Sequence, residues 1–266
     1  MMQGAAPLPR LSFAAGGVTR GQRLLPEEVA VALTFNGTTQ AVMMATPADL
    51  VDFAYGFALT EGIATPDQIA SLDIVRHPKG VEVQVWLTPD AGARLAARRR
   101  TMTGPVGCGL CGIDSLDQAL RDMAPVPPTS FSMTPDQIMA AIAALPGAQP
   151  LHDATRAVHA AGFWADGLRA TREDAGRHNA LDKLAGHLIR QPRIPGAIVM
   201  TSRVSIDLMQ KVAVLGLPML IAVSAPTAQA VTLAEACGIT LIALARPDRF
   251  EVFTHSDRIT ETADVA

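Results

Sequence analysis

The sequence predicts an α/β protein, and the clearest reason lies in its last third. Short apolar runs alternate there with helical stretches, at residues 197–200, 206–215, 219–223, 227–237 and 239–244. Such alternation is typical of parallel strands joined by right-handed helical crossovers. Gly216 and Gly238 mark the ends of the two helical stretches. We therefore expect a mostly parallel sheet that helices cover on both faces.

The first half of the chain adds a part that is rich in strands. Apolar runs flank Asn36-Gly37, and because both residues tolerate positive φ, a β-hairpin is predicted around them. The spacing of apolar residues then changes from that of a strand to that of a helix. Thr46 is expected to cap this helix, with Pro47 in its first turn and Gly62 at its end. Beyond this helix, the patterns predict a strand at 81–87 and helices at 90–100, from 114, and from 135 to about 146.

These elements suggest a division of the chain into three segments. We expect a loose N-terminal leader at residues 1–28, an N-terminal β/α part at 29–128, and a C-terminal α/β part at 129–266. The N-terminal part ends in a glycine-rich loop region. One continuous domain is as compatible with the pattern as two domains are.

The composition narrows the class of protein. With 266 residues, the chain can bury a hydrophobic core without disulfides or a structural metal. Its three cysteines do not suit a secreted disulfide framework, which favours a reducing compartment. The net charge of −3 argues against a protein that coats nucleic acid. The most apolar stretch, 216–225, is too short to span a membrane as a helix. We therefore expect a cytoplasmic protein that binds neither nucleic acid nor membrane.

The sharpest local signal is a loop in which glycines surround Cys108 and Cys111. Glycines expose the sulfur atoms and leave backbone N–H groups free to stabilise a thiolate, the form that attacks sulfur or binds metal. The spacing fits half of a zinc site, a redox dithiol or a persulfide carrier. A zinc site needs further ligands, and only Cys237, which is expected in the core, and scattered histidines remain. No structural metal is expected.

The segment from Pro105 to Cys111 also has the cysteine spacing of zinc deaminases. In those enzymes an upstream His-x-Glu supplies the third ligand and the proton shuttle. The only histidine before Cys108 is His77, and Pro78 and Lys79 follow it. Because the glutamate is missing, deaminase chemistry is not supported.

A second segment of interest, residues 172–183, is dense in charged and polar residues and lies at the start of a predicted helix. Arg177 and His178 lie in this segment, which suggests a binding or catalytic wall. The alternative is a solvated helix start, with Asp174 near the positive helix end and Lys183 facing solvent. His178 is either a proton carrier or a hydrogen-bonded structural residue.

Hydroxyl and cationic side chains mark the points where strands end and helices begin. Arg203 lies in the first such loop, and Ser224 and Thr227 lie in the second. In a parallel sheet these loops gather at one edge, where free N–H groups at helix starts can hold phosphate. Simple helix capping is the alternative for the hydroxyls. Arg246 and Arg249 follow the last strand and either extend this cationic set or are surface charges.

Four stretches, taken in series, resemble the formate dehydrogenase accessory sulfurtransferase family (FdhD). They are residues 36–62, the Cys-Gly-Leu-Cys loop within 107–112, the Glu-Asp-Ala-Gly-Arg-His-Asn segment within 173–183, and Ser-Ala-Pro-Thr at 224–227. The resemblance runs from about residue 30 to residue 255. One departure is Thr201-Ser202-Arg203, where the family usually reads Ser-Gly-Arg. The side chain of Ser202 therefore affects how closely a ligand can approach that backbone.

The resemblance implies a cytidine-deaminase-like core without the deaminase zinc, and a homodimer. It implies that a cysteine desulfurase loads a persulfide onto Cys108, with Cys111 as an assisting thiol. The sulfur would pass to a bis(molybdopterin guanine dinucleotide) cofactor of molybdenum or tungsten, before insertion into the catalytic subunit of formate dehydrogenase. The expected cofactor-binding residues are Arg203, Ser224, Thr227, Arg246, Arg249, Phe250, Arg177 and His178. A thiol-disulfide oxidoreductase and a non-catalytic cofactor-binding chaperone are the alternatives.

Overall fold

The computed structural model describes residues 3–100, 121 and 123–260, with the backbone alone for 98–100, and these residues form three β-sheets and seven α-helices. In chain order the elements are β1 (Ala5–Ala14), β2 (Gly17–Pro26), β3 (Val29–Phe35), β4 (Thr38–Ala45), α1 (Leu50–Thr60), β5 (Ile69–His77), β6 (Gly80–Leu87), α2 (Pro89–Arg100), α3 (Pro135–Ala144), α4 (Pro150–Thr155), β7 (His159–Trp164), β8 (Leu168–Asp174), α5 (Arg177–Leu188), β9 (Ala197–Met200), α6 (Ile206–Leu215), β10 (Met219–Ala222), α7 (Ala228–Cys237), β11 (Thr240–Arg246) and β12 (Arg249–Val252). The helix expected from residue 114 lies outside the described residues.

The largest sheet has six strands in the order β12-β11-β10-β9-β7-β8. Its middle strands β9, β10 and β11 are parallel, as the alternation of strands and helices predicts. Strands β12, β7 and β8 join antiparallel, so the expectation of a mostly parallel sheet is wrong and the sheet is mixed. The cause is two short connections, which can join only antiparallel neighbours. One of them turns at Asp166 and Gly167, whose φ values are 50° and 108°.

Helices cover both faces of this sheet. On one face α5, α6 and α7 bury side chains such as Leu184 and Leu208, and on the other face α3 buries Ile138 against Val199 of β9. The helix ends at Gly216 and Gly238 are confirmed, and both glycines adopt the left-handed conformation. The α/β class is therefore confirmed.

A second sheet has four strands in the order β4-β3-β6-β5 and packs on α1. The predicted hairpin is confirmed, with positive φ at Asn36 (49°) and Gly37 (73°). The prediction that the next helix starts at Thr46 and Pro47 is wrong, because α1 begins at Leu50. The Thr46 hydroxyl instead accepts a hydrogen bond from the backbone N–H of Ala175 at 3.2 Å. Because this long-range contact occupies the hydroxyl, Thr46 does not cap the helix.

Helices α1 and α5 cross in backbone contact and join the two sheet layers. A Cβ atom at Gly56 would lie 1.7 Å from the carbonyl oxygen of Asp182, and one at Gly186 would lie 1.8 Å from that of Asp52. Only glycine fits at this crossing. The boundary near residue 128 stays a prediction.

The N-terminal segment is a β-ribbon and not the loose leader expected for residues 1–28. Strands β1 and β2 pair antiparallel along their full length, from Ala5 opposite Pro26 to Ala14 opposite Gly17. The base of the ribbon is tied to the body, where Arg23 donates to the carbonyl oxygen of Thr155 at 3.4 Å. Within the described ranges, no helix is long and apolar enough to cross a membrane.

Candidate functional site

Two loops lie side by side where the parallel strands end. The first, after β9, contains Val204, whose N–H donates to the carbonyl oxygen of Ala225 in the second loop, after β10, at 3.2 Å. In return the N–H of Thr227 donates to the carbonyl oxygen of Val204 at 2.9 Å. These bonds fix the starts of α6 and α7 next to each other, as expected at the carboxyl ends of parallel strands.

The antiparallel strands bring further residues to this place. β7 begins here, because His159 pairs with Asp174 at the end of β8 and the N–H of Ala160 donates to Oγ1 of Thr201 at 2.9 Å. α5 therefore also starts here, with Arg177 as its first residue. We call this region the carboxyl edge; it comprises residues 159, 174–178, 201–207, 223–227 and 244–246.

The carboxyl edge contains polar groups that have no hydrogen-bond partner in the described part of the chain. Arg177 Nε and His178 Nε2 are buried and make no hydrogen bond with any residue of the described ranges. Arg203 is exposed, and burial together with the charge of Arg203 lowers the pKa of Arg177. Asp207 lies 3.8 Å from His178 Nε2, beyond hydrogen-bond distance. An anion placed here would meet two cations and unsatisfied donors.

The pKa values of both histidines at this edge are lowered. Burial, followed by the charges of Arg177 and Lys211, lowers the pKa of His178 to about 4. Burial and the charge of Arg177 also lower the pKa of His159. The sequence analysis missed His159, although a histidine directly before an apolar run was a visible signal. A neutral imidazole offers one donor and one acceptor to a ligand.

The second loop is held by Arg246. Its Nη1 donates to the carbonyl oxygens of Val223 at 2.6 Å and Ala245 at 2.8 Å, and the N–H of Leu244 donates to the carbonyl oxygen of Ser224 at 3.3 Å. Thr227 Oγ1 accepts from the N–H of Ala230 at 3.3 Å and caps α7. Arg246 and Thr227 therefore shape the loop that presents Ser224.

Two other predicted residues, Arg249 and Phe250, follow on β12. The Arg249 side chain is 73% exposed and lies 3.4 Å from Asp248, and Phe250 packs against the core beneath α3. Ser202, which departs from the family pattern, is buried, and its hydroxyl donates to the carbonyl oxygen of Arg203 at 3.1 Å. The extra side chain therefore points into the protein.

The charged segment at residues 172–183 contains a buried ion pair. Lys183 Nζ lies 2.6 Å from Asp174 Oδ2, and both side chains are fully buried, so the expectation that Lys183 faces solvent is wrong. Asp174 also accepts from the N–H groups of Gly176 at 2.7 Å and Thr46 at 3.0 Å. Lys183 donates to the carbonyl oxygen of Thr46 at 2.8 Å. These contacts fix the turn that orients Arg177.

A second buried network lies behind the carboxyl edge. Lys211 Nζ donates to Asp182 Oδ1, Glu61 Oε1 and Thr60 Oγ1, each at 2.9 Å. Arg121 donates to Glu61 Oε2 at 2.8 Å and to the carbonyl oxygen of Thr60 at 3.1 Å. Burial opposes ionisation of Glu61, but Lys211 and Arg121 outweigh it and hold its pKa at about 2. Lys211, which directly precedes the apolar run that ends its helix, was the missed signal for this network.

Cys108 and Cys111 lie outside the described residues. The nearest described residue after them is Arg121, which is joined to Glu61, and the charges of Glu61 and Lys211 both influence the pKa of His178. Arg121 is therefore anchored to the buried network of Glu61 and Lys211. Cys237 is confirmed as a core residue, fully buried. In the described part of the chain, no cluster of three or more histidine, cysteine or acidic side chains could hold a metal ion.

Comparison with known proteins identifies the family. The model of the FdhD/NarQ family matches residues 26–260. A sulfur carrier protein FdhD from Agrobacterium fabrum is 50% identical over 255 residues, which are 94% of each chain. Another protein of that name, from Brucella abortus, is 50% identical over 257 residues, 95% of this chain and 96% of the relative. A crystal structure of a candidate formate dehydrogenase accessory protein from Desulfotalea psychrophila has a TM-score of 0.76 at 24% identity, over 96% of this chain and 99% of the other, and supports the fold. The resemblance seen in the sequence is thus confirmed, and the chain belongs to the FdhD/NarQ family.

Proposed function

We propose that this chain is a cytoplasmic sulfur carrier in the maturation of formate dehydrogenase. Relatives that share half of its residues are named sulfur carrier proteins and match over nearly the full length of both chains. Within the molecule, the proposal rests on the buried nitrogens Arg177 Nε and His178 Nε2, which have no hydrogen-bond partner in the described part of the chain, and on the nearby exposed Arg203. Unpaired buried donors are costly, so an anionic ligand that satisfies them gains affinity.

The proposed sulfur step uses Cys108 as the carrier. Its thiolate attacks the terminal sulfur of a persulfide on a cysteine desulfurase, so a new S–S bond forms and the desulfurase cysteine leaves as a thiolate. Cys111 then attacks the inner sulfur of the Cys108 persulfide. The bond to the terminal sulfur breaks, hydrosulfide leaves for the metal of the acceptor, and a Cys108–Cys111 disulfide remains. A cellular dithiol reduces this disulfide before the next round.

The proposed acceptor is a bis(molybdopterin guanine dinucleotide) cofactor of molybdenum or tungsten, held as a substrate. Its phosphate groups suit the starts of α6 and α7 and the guanidinium of Arg203. Arg177 and His178 offer further donors at the same edge. Ser224, Thr227 and Arg246 belong to the adjoining loop.

Arg249 and Phe250 stay predicted members of the cofactor site. A cytidine-deaminase-like core and a homodimer, both implied by the family resemblance, are part of the same proposal. Its proposed partners are a cysteine desulfurase and the catalytic subunit of formate dehydrogenase.

The experiment that tests the sulfur step is intact-protein mass spectrometry after incubation with a cysteine desulfurase and cysteine. Wild type is compared with Cys108→Ala and Cys111→Ala, and Cys237→Ala serves as the matched control because Cys237 is buried. We expect a gain of one sulfur atom that reductant removes, that is lost in Cys108→Ala and that is kept in Cys237→Ala. No gain on wild type and none on Cys111→Ala, in which Cys111 cannot release the sulfur as hydrosulfide, would together overturn persulfide carriage.

Two further outcomes would identify the alternatives. A redox dithiol predicts loss of two hydrogens on oxidation in place of a gain of sulfur, and it needs both Cys108 and Cys111. A chaperone that only holds the cofactor predicts that a variant without either cysteine still supports formate dehydrogenase maturation.

A further inference from the structure

A cavity of about 490 Å³ opens at the end of the six-stranded sheet that lies opposite the carboxyl edge. Its lining comes mainly from the end of β7, the start of β8, the ends of α5 and α6, and the segments that lead into β9 and β10. α5 runs from the carboxyl edge to this cavity, and its 12 residues separate the two by about 17 Å. The described residues that line the cavity include none that the proposed function assigns to sulfur transfer or to the cofactor. The cavity is therefore a separate feature of the molecule.

The walls of the cavity are mostly apolar. They include the side chains of Phe163, Leu188, Ile189, Ile194, Leu215 and Leu217. One side is formed by the segment at 191–195, in which Pro192 and Pro195 have fixed φ angles that limit the freedom of the backbone. A concave site of this volume, with apolar walls and a few polar groups, is typical of pockets that bind small molecules.

Two arginines bring positive charge to the cavity. Arg193 Nη2 donates to the carbonyl oxygen of Gly216 at 3.0 Å, just past the end of α6. Arg169 Nε donates to the carbonyl oxygen of Ala165 at 2.7 Å. Among the residues that the structure describes, these backbone contacts occupy one nitrogen of each guanidinium. They hold the side chains in place and leave further donors for a ligand.

His187 adds a neutral donor to the same cavity. Nη2 of Arg172 lies 2.8 Å from Nδ1 of His187, and because a guanidinium can only donate, Nδ1 must accept. The ring proton is therefore on Nε2, which makes Nε2 a donor. Burial, followed by the charge of Arg172, lowers the pKa of His187, in agreement with a neutral ring. Arg172 is itself fixed by Asp52, whose Oδ2 accepts from its Nε at 2.7 Å.

The acidic residues nearby do not offset this set of donors. No acidic side chain is present among the described residues that line the cavity. Asp52 is buried and forms ion pairs with both Arg172 and Arg190, so its charge is compensated. Asp67 and Asp166 are neighbours of the lining along the chain, but they are exposed and do not line the cavity. The polar part of the cavity is therefore suited to an anion.

We propose that this cavity binds a small apolar carboxylic acid, with its aliphatic or aromatic body against the apolar walls and its carboxylate at Arg193 and Arg169. A guanidinium is well suited to this group, because its donors match the two oxygens of a carboxylate. The inference goes beyond the proposed function and does not depend on it, since the sulfur step and the guanine dinucleotide are assigned to other residues.

Calorimetric titration of the full chain with octanoate and with phenylpropionate tests the proposal. We expect at least one of these acids to bind with a Kd of about 1 mM or below, as a ligand of this size achieves in a preformed pocket. Acetate has the charge without the apolar body, and octanol has the apolar body without the charge. Both should bind about tenfold more weakly or worse. If neither acid binds to wild type, the proposal is wrong.

An arginine variant locates the bound acid. Arg193→Ala should weaken binding by about tenfold or more, because it removes a charge-assisted contact. The matched control is Arg20→Ala, an exposed arginine that lies opposite the exposed Leu11 on the ribbon, and it should keep the wild-type affinity. An equal loss in Arg20→Ala and Arg193→Ala would place the acid on the apolar surface of the ribbon and overturn the proposal.

A second pair of variants changes the charge of the cavity and leaves its arginines intact. Ile194 lines the cavity and is 46% exposed, so Ile194→Lys and Ile194→Glu should both fold. The two variants differ by two charges beside the expected position of the carboxylate. Ile194→Lys should therefore bind the acid about tenfold more tightly than Ile194→Glu. Equal affinities in these two variants would overturn the proposal, even if Arg193→Ala does not fold.

Discussion

Lys183 Nζ lies 2.6 Å from Asp174 Oδ2, with both side chains fully buried between the end of β8 and α5. The pair also holds the backbone of Thr46 from both sides, because Asp174 accepts from its N–H and Lys183 donates to its carbonyl oxygen. The ion pair therefore ties the end of β4 to the turn that carries Arg177 and His178. Its role is to hold the carboxyl edge in place.

Removing one member of this pair should strongly destabilise the protein. Lys183→Ala leaves the Asp174 carboxylate buried without its counter-ion, and such a loss costs about 3–5 kcal/mol of unfolding free energy. For a chain of this size we expect the melting temperature to fall by roughly 10 °C. Thermal denaturation measures the change, and Lys79→Ala, at an exposed position, is the control that should melt like wild type. A similar Tm in both variants would contradict a structural role for the pair.

The limits of the sequence analysis can be traced to particular residues. Asn36-Gly37, Gly216 and Gly238 were predictable because turns and helix ends depend on local backbone preferences. Lys183 was not, because the sequence reveals its charge but not its burial. That burial depends on Thr46, 137 residues away along the chain.

Other misses have different physical causes. Asp166-Gly167 carries a local hairpin signal that was overlooked, and with it the antiparallel half of the six-stranded sheet. The ribbon was mistaken for a leader because its exposed strands lack the one-sided burial that makes an alternating pattern visible. Of the site, the loops around Arg203 and Ser224 followed from strand–helix alternation, whereas the network of Lys211 and Glu61 depends on contacts between distant elements.

The bond between Arg121 and Glu61 should matter for sulfur transfer more than for stability. In Arg121→Ala, Glu61 keeps Lys211 as a partner at 2.9 Å, so we expect a loss below about 1 kcal/mol. Arg121 is the first described residue after Cys108 and Cys111, and if its contact with Glu61 positions them, persulfide transfer should slow by roughly tenfold in this variant, since small errors in positioning have large effects on rate. Time-resolved mass spectrometry of the loaded protein measures this rate.

Conservative and distant variants separate positioning from folding. Arg121→Lys keeps a cation near Glu61 and should restore part of the rate, and Arg94→Ala, at an exposed position on α2, should leave it unchanged. Equal rates in Arg121→Ala and wild type would show that the anchor has no part in transfer.

His178 should make the stability depend on pH. Its folded pKa of about 4 lies below the ordinary value of 6.5, mainly because of burial and then the charge of Arg177. Between pH 4 and 6.5 the His178 side chain binds a proton in the unfolded chain but not in the folded protein. The free energy of unfolding is therefore highest above pH 6.5 and decreases as the pH falls towards 4. The free energy of unfolding changes by up to about 3 kcal/mol over this interval.

Urea unfolding at a series of pH values tests this dependence. The glutamine in His178→Gln does not titrate, so the free energy of unfolding of this variant should depend less on pH between 6.5 and 4 than that of wild type. His77→Gln, at an exposed position on β5, should keep the wild-type slope in that interval. An identical slope in wild type and His178→Gln would mean that another group is responsible.

Arg203 should contribute to the binding of a guanine nucleotide at the carboxyl edge. A charge-assisted hydrogen bond contributes about 1.5–3 kcal/mol, so Arg203→Ala should weaken GDP binding by roughly 10- to 100-fold in calorimetry. Arg203→Lys should lose less, because it keeps the charge but not the planar fork of donors. Arg169→Ala is the control: this arginine donates to the carbonyl oxygen of Ala165 at 2.7 Å, at the start of β8 and away from the carboxyl edge, so its loss should leave the affinity unchanged. If Arg203→Ala and Arg169→Ala bind GDP equally well, the phosphate site is elsewhere, and the unpaired donors of Arg177 and His178 serve a different anion.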